Sequence, residues 1–286
     1  MTFESLVRSA VFTDQRPLSG MLQDNHFVHR HLDWREPLSW IGSPPFLVLE
    51  RRGELAGALA CPPDPPGVAW VRLFMTDGAG DEREVWQALW EAALRELSNQ
   101  TGNTAAAIAM KQWLTPMLVE SGFTTQQQLV MLEQNGGGLP EGDVACEQGI
   151  SIRPMLTQDL PVVADVDASA FDPLWQNSLP ALSRAYSQAF LAAVAEAEGQ
   201  VIGYHLSTHN SLGVHLARLA VRPEIQGRGI GHALVQDLIL QAERRGIRRF
   251  TVNTQNDNAA SLAIYKKLGF FETGERYPVY RRQVSQ

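Results

Sequence analysis

Gln226-Gly227-Arg228-Gly229-Ile230-Gly231 packs three glycines and one arginine into six positions. An apolar run, Leu216 to Val221, leads in, and an amphipathic run, Ile230 to Arg245, leads out. A strand, a glycine loop and a helix start, in that order, make an anion site. Backbone N–H groups point into the loop, and the helix dipole adds about half a positive charge. Glycine permits positive φ and close backbone approach, and Arg228 adds a fixed cation suited to phosphate. No Gly-Lys-Ser/Thr follows, and the glycine spacing is not that of a dinucleotide fold.

A second group lies 27 to 34 residues further on. Asn258, Ser261 and Tyr265 are spaced by three and four, so they share one helix face. A phenol with a pKa near ~10 can donate a proton at neutral pH, and Asn258 is equally suited to cap the helix. His215 titrates in the range of a general base. Two-residue alternation predicts that it shares a strand face with Leu219 and Val221. His215 is equally readable as a strand-end histidine, and His205 and His209 are further candidates. His26, His29 and His31 lie close together, but no carboxylate or cysteine completes a ligand set, so no metal is expected. Asp172, Trp175 and Tyr204 would suit a pocket for an aromatic or cationic amine; core packing is the alternative for Trp175.

The elements that must position these residues follow from periodicity. A first strand is expected at Ser5 to Val11, a helix over Leu18 to His31, and a hairpin of Phe46 to Glu50 with Leu55 to Ala60. Val68 to Met75 reads as one strand, Glu82 to Leu97 as a helix, Thr104 to Ala109 as a strand, Trp113 to Glu120 as a helix and Leu129 to Glu133 as a strand. Residues 135–148, with Gly136-Gly137-Gly138, Pro140 and Gly142, read as a linker. The order then returns. Ile150 to Arg153 is a strand and Thr157 to Ala170 a helix with Thr157 as N-cap. Leu179 to Tyr186 is a second helix, and Ala189 to Ala197 with Val201 to Ser207 a hairpin. Leu212 to Val221 is the strand into the glycine loop. A helix to Arg245, a strand Phe250 to Thr254, a helix Asn258 to Leu268 and terminal strands through Tyr280 complete the chain.

The return is a repeat. Gly53 and Gly199, Gly57 and Gly203, and Arg72-Leu73 and Arg218-Leu219 are each 146 apart. Ala88-Leu89 and Ala233-Leu234 are 145 apart, and Gly122-Phe123 and Gly269-Phe270 are 147 apart. The expected domains are 1–134 and 149–286, joined by the linker. Where the second copy has the glycine loop, the first has Gly80-Asp81-Glu82-Arg83-Glu84, whose carboxylates would repel a diphosphate. It has Leu118 where the second has Tyr265.

At 286 residues and net charge −7, the chain has the length for two domains and not the charge of a general nucleic-acid binder. Residues 1–149 hold 10 Lys+Arg against 19 Asp+Glu, and residues 150–286 hold 14 against 12, so the basic half carries the glycine loop. No apolar run approaches the ~20 residues that span a bilayer. With no signal-peptide pattern and two distant cysteines, Cys61 and Cys146, a cytoplasmic protein is expected.

The loop, with Gln226, Gly229 and Gly231, resembles the pyrophosphate loop of the GCN5-related N-acetyltransferases (GNAT). The stretch Asn253 to Phe270, with Asn258, Ala259-Ala260-Ser261, Tyr265 and Leu268-Gly269-Phe270, resembles that family's second cofactor motif. The resemblance implies an α/β fold class: two tandem acyl-CoA N-acyltransferase folds, each a mixed, mostly antiparallel sheet flanked by helices, the first degenerate. It implies acetyl-CoA (coenzyme A) as co-substrate and no metal. Gln226, Gly227, Arg228, Gly229, Ile230 and Gly231 would hold the pyrophosphate. Leu219, Ala220 and Val221 would pair with the pantetheine arm, and Asn253, Asn258, Ser261 and Tyr265 would lie by its thioester end. Tyr265 would act as general acid, and either His215 or water would deprotonate the amine. The acceptor would be a small-molecule or peptide amine bound by a monomer or homodimer with no nucleic-acid or membrane partner. Other acyl donors, a protein amine, or a non-catalytic acyl-CoA sensor are the alternatives.

Overall fold

The computed structural model describes residues 5–24, 27–99, 103–136 and 149–284. Much of the 135–148 linker therefore lies outside the described residues, as does His26. The chain divides into two compact units, Met1–Gln126 with Tyr277–Gln286, and Gln127–Arg276. These units do not divide at the expected linker. Residues 127–134 belong to the second unit because they pair with its strand Arg249–Gln255, from Leu129↔Gln255 to Gln134↔Phe250. Residues 277–286 belong to the first because they pair with Thr104–Ile108, from Val279↔Ile108 to Gln283↔Thr104.

Unit 1 runs β1 (Ser5–Ser9), α1 (Gln15–Asp24), β2 (Val28–Arg30), β3 (Phe46–Arg51), β4 (Glu54–Ala60), β5 (Val68–Trp70), β6 (Leu73–Thr76), α2 (Glu82–Ser98), β7 (Thr104–Ile108), α3 (Leu114–Glu120) and the start of β8 (Thr124–Asn135). Its strands β1-β3-β4-β6-β2 form one sheet in that order. Strand β5 runs parallel to β7. The periodicity of α2 holds: Val85, Leu89, Ala93 and Leu97 are all buried, with Trp86 and Trp90 beside them. Each of the buried Val and Leu side chains contributes ~1.5–3 kcal/mol by leaving water. Two expectations fail. The helix predicted over Leu18 to His31 stops at Asp24, and residues 28–30 are a strand, because their backbone pairs with β6. The single strand predicted over Val68 to Met75 is two, breaking at Val71 and Arg72, because its halves pair with different partners, β7 and β4.

Unit 2 runs from residue 127 of β8 through β9 (Ile150–Pro154), α4 (Leu160–Ala170), α5 (Leu179–Gln188), β10 (Leu191–Ala197), β11 (Gln200–Asn210), β12 (Gly213–Val221), α6 (Ile230–Glu243), β13 (Arg249–Gln255) and α7 (Ala259–Lys267) into β14 (Phe271–Gln283). The sheet order is β8-β13-β12-β11-β10-β9. All its pairings are antiparallel except β12 with β13. Helix α6 buries Val235, Leu238 and Ile239 in one core with Val214, Leu216 and Phe250, and Leu234 in a second with Ala195 and Ile202. Thr157 does not cap α4; it opens a short 3-10 turn, Thr157–Asp159. Asp159 closes that turn by accepting the Leu156 N–H at 2.8 Å.

The units share details at a nearly constant offset. Arg8 bonds Asp14 and Glu50 at 2.7 and 2.9 Å, and Arg153 bonds Asp159 and Glu196 at 2.7 and 2.9 Å. A bulge falls at Leu49/Glu50 in one and at Ala195/Glu196 in the other. Both hairpins turn through two positive-φ residues, Arg52-Gly53 and Glu198-Gly199. The register corrects one match. Leu73 lies opposite Ala60 and Arg218 opposite Leu206, so from β6 onward the offset is 145, and Leu73 rather than Arg72 corresponds to Arg218.

Candidate functional site

Strands β12 and β13 run together for three residue pairs, Val214↔Phe250, His215↔Thr251 and Leu216↔Val252. Ala217 is then a one-residue bulge against β11, with Ser207 opposite Leu216 and Leu206 opposite Arg218. A bulge bends its strand and ends pairing. Beyond it β12 stays with β11, and residues 253–255 of β13 stay with β8, so the two strands part. The Arg222 N–H donates to the Ile202 carbonyl at 2.9 Å. Alternation along the antiparallel ladder then points the backbone groups of Ala220 and Arg218 at β11 and those of Leu219 and Val221 into the opening. The Val221 carbonyl accepts from Gln226 Nε2 at 2.9 Å, which ties the glycine loop to the strand end. Ala220, expected among the backbone contacts, does not face the opening: its backbone lies in the ladder opposite Tyr204 and its side chain is buried.

Gly227 and Gly229 have φ of 80° and 81°, and a Cβ at either would meet nothing within 4 Å. Glycine is needed there for its backbone conformation, and the space beside it is open. Gly229 is the N-cap of α6 and brings no capping side chain. The Ala233 N–H makes the bond to the Gly229 carbonyl at 2.9 Å, and the N–H groups before it lie in the first turn, where no intrahelical acceptor exists. Gln226, Gly227, Arg228 and Gly229 are exposed. Ile230 is buried in the core with Leu234 and Ala195, so its side chain packs rather than binds. A Cβ on Gly231 would lie 3.0 Å from Ile264 of α7, 3.8 Å from Val221 and 4.0 Å from Leu219. Gly231 therefore keeps the floor of the opening clear while α6 and α7 approach.

On α7 the predicted face forms. Asn258 is the N-cap, its Oδ1 accepting from the Ser261 N–H at 3.1 Å. Tyr265 shares a hydrogen bond with the Ser261 side chain, and its ring lies 5.6 Å from Phe270. Burial pushes the Tyr265 phenol up, so it stays protonated at neutral pH. Asn253 sits in β13 opposite Met131, in the stretch where β13 has parted from β12.

The bulge overturns the predicted facing of His215. Val214 and Leu216 pack with the α6 core, and Leu219 and Val221 flank Gly231 of α6. His215 therefore lies on the opposite face, its Nδ1 2.9 Å from Thr251 Oγ1. Burial lowers its pKa, which leaves a neutral imidazole at pH 7. Tyr204 is not a pocket wall: it is fully buried, and its hydroxyl donates to Asp167 at 2.5 Å. Asp172 is exposed and caps the short turn Pro173–Trp175 by accepting from the Leu174 N–H at 3.1 Å. Trp175 is half-buried, and its carbonyl accepts from Arg218 at 2.6 Å. The residue that joins these was not foreseen. Asp167 accepts from Arg218 Nε and Nη2 at 2.7 and 2.9 Å and from the Asn177 N–H at 2.7 Å. The Arg218 guanidinium also lies 3.6 Å over the Phe171 ring. The signal was present: Leu160, Val163 and Asp167 share one face of α4, and a carboxylate on an apolar face demands a cation.

Among the described residues no group of three His, Cys, Asp or Glu is placed to hold a metal ion. No helix among them is long and apolar enough to cross a membrane.

Residues 159–270 match the model of the Acetyltransferase (GNAT) family. A mycothiol acetyltransferase of Amycolatopsis mediterranei is 28% identical over 200 residues, 60% of this chain and 66% of that protein. One of Saccharomonospora viridis is 31% identical over 54% of this chain and 58% of that protein. The matched stretches thus span less than two thirds of both relatives. The ribosomal protein bS18 alanine N-acetyltransferase of Escherichia coli is 27% identical over 46% of this chain and 86% of its own. Two solved structures share the fold along the whole chain. A GCN5-related N-acetyltransferase from Sphaerobacter thermophilus has a TM-score of 0.63 at 16% identity, covering 99% of this chain and 96% of its own. A tandem GNAT protein from the clavulanic acid biosynthesis pathway has 0.62 at 17%, covering 99% of each. The parted strands, the glycine N-cap and the Asn258–Tyr265 face thus fall in the stretch, residues 159–270, that matches the GNAT family model.

Proposed function

We propose that unit 2 transfers an acetyl group from acetyl-CoA to the amine of a small molecule or peptide, and that unit 1 is a degenerate second copy of the same fold. The observation that carries this reading is the conjunction of an open strand edge at Leu219 and Val221, a glycine N-cap at the adjoining helix start, and a protonated phenol on the next helix. The first-turn N–H groups and Arg228 hold the pyrophosphate. Leu219 and Val221 pair with the pantetheine amides as a strand edge would. Gly231 leaves room for that arm, and Asn258 orders the start of α7.

In the reaction, the neutral amine attacks the thioester carbonyl, the C–N bond forms, and the C–S bond breaks as the tetrahedral intermediate collapses. Tyr265 delivers its proton to the departing sulfur, for which the raised phenol pKa keeps it ready. The amine loses its proton to solvent or to His215. Neutral His215 is competent to accept a proton, but it faces away from the Leu219 side of β12, so water-mediated loss fits the geometry better. The relatives differ in acceptor, one being named for mycothiol and another for an alanine of a ribosomal protein.

The test is thiol release from acetyl-CoA with a panel of small amines and peptide N-termini. Tyr265→Phe should lower kcat about 10²-fold, with the KM for acetyl-CoA little changed. Turnover at the wild-type rate removes Tyr265 as the acid. Tight acetyl-CoA binding without product from any acceptor would favour a sensor instead.

A further inference from the structure

In unit 2 the backbone edge of Leu219 and Val221 faces an opening. The same edge of unit 1 is paired. At the 145 offset set by the register, Leu219 and Val221 correspond to Phe74 and Thr76. Strand β2 lies antiparallel on that edge, with Val28↔Met75, His29↔Phe74 and Arg30↔Leu73. The Thr76 N–H donates to the Phe27 carbonyl at 3.2 Å, and the His31 N–H to the Arg72 carbonyl at 2.9 Å. His29 is buried, with Nε2 donating to the Val71 carbonyl at 3.0 Å. Its pKa is lowered by burial to about 4, so it is neutral when it takes this place.

Two more substitutions fill what unit 2 leaves clear. The counterpart of Gly231 is Trp86, which is buried, T-stacked on Phe74 with ring centroids 5.0 Å apart, and bonded from Nε1 to Ser121 Oγ at 2.7 Å. The counterparts of Gln226 to Gly229 are Asp81, Glu82, Arg83 and Glu84. There Asp81 caps α2 by accepting the Arg83 N–H at 2.9 Å, and the loop positions have become the first helical turn.

We propose that unit 1 is closed to acyl-CoA by its own chain: strand β2 takes the edge along which the pantetheine arm would pair, and Trp86 takes the floor beneath it. The inference rests on the reading that the matching opening in unit 2 receives coenzyme A. It limits the chain to one equivalent of the cofactor and makes unit 1 a domain that carries a built-in strand in place of a ligand.

Calorimetric titration of coenzyme A into the full chain should give one equivalent. Gly231→Trp, which copies the floor of unit 1 into unit 2, should lower the affinity at least tenfold and leave no residual site, with the circular dichroism spectrum retained. A second equivalent in the wild type, or one equivalent held at wild-type affinity by Gly231→Trp, overturns the closure. If the wild type binds no coenzyme A at all, the reading of unit 2 fails instead, and hydrogen exchange still decides the closure. Peptides spanning residues 27–31 and 73–77 should exchange slowly in the free protein, because β2 and β6 protect each other. Exchange of either peptide at the rate of an exposed loop overturns it.

Discussion

Asp167 gathers more buried polarity than any other side chain described in unit 2. It has no exposure, yet its two oxygens accept from Tyr204, twice from Arg218, and from the Asn177 N–H. A carboxylate offers about four lone-pair sites, and all are used. Arg218 extends the network upward by donating to the Trp175 carbonyl and covering Phe171. The segment from Phe171 to Asn177 is thereby fixed from beneath by one ion pair. Removing one partner of such a pair leaves the other charged and dry, at a cost of roughly 3–5 kcal/mol. Asp167→Ala should therefore lower Tm on the order of 10 °C, and Asp167→Asn, which keeps the shape, should lower it less. A calorimetric scan of the three proteins checks the order, and an Asp167→Ala loss under about 1 kcal/mol would mean that water replaces the carboxylate. The loop positions were legible in the sequence as residue types near a site. The carboxylate on the apolar face of α4 was a signal that some cation must meet it, but its partners were not legible, because Tyr204 and Arg218 come from two strands whose register the sequence does not state.

Helices α6 and α2 correspond in the two copies, α2 beginning one turn earlier, and their starts answer opposite demands. Gly229 caps α6 with no side chain and with φ of 81°, so no N-cap side chain answers the first-turn N–H groups. Asp81 caps α2 with its own carboxylate and is followed by Glu82 and Glu84, so the helix dipole is already answered from within the chain. Gly229→Asp should carry the second solution into the first. The left-handed φ costs about 1 kcal/mol for a residue with a Cβ, and no atom lies within 4 Å to clash with it. The fold should persist while the affinity for coenzyme A falls at least tenfold. Titration calorimetry reads the loss, and unchanged affinity would place the pyrophosphate elsewhere. The glycine loop, α2, α6 and α7 were all legible from period and punctuation, since each is a local property. Strand β2 was not. Three residues in a histidine-rich run carry no periodicity, and what makes them a strand is the edge of β6, more than 40 residues away. The bulge at Ala217 was equally invisible, and it alone reversed the predicted facing of His215.

The repeat reads as two domains cut at a glycine-rich linker, but the strands do not respect that cut. Residues 129–135, all but the last preceding the linker, supply the partner of β13 over seven residue pairs, Arg249↔Asn135 through Gln255↔Leu129. Their Val130 and Leu132 lie in the core that contains Val252, Tyr265 and Phe270. A fragment of residues 149–286, the natural choice from the sequence, lacks this strand. It loses two buried aliphatic side chains worth ~1.5–3 kcal/mol each. It also bares a β13 edge of seven residues, a template for association. Its tail from residue 277 is separated from β7, with which it pairs in the full chain. A fragment of residues 127–276 keeps the β8 pairing and ends where unit 2 ends. The expectation is that 127–276 is soluble, melts cooperatively and binds coenzyme A with an affinity near that of the full chain, whereas 149–286 aggregates or melts without a sharp transition. Size-exclusion chromatography, thermal melts and titration of the two fragments side by side check it. If 149–286 proves monomeric and binds coenzyme A equally well, the β8 strand contributes no more than a cover, and the boundary belongs at the linker after all.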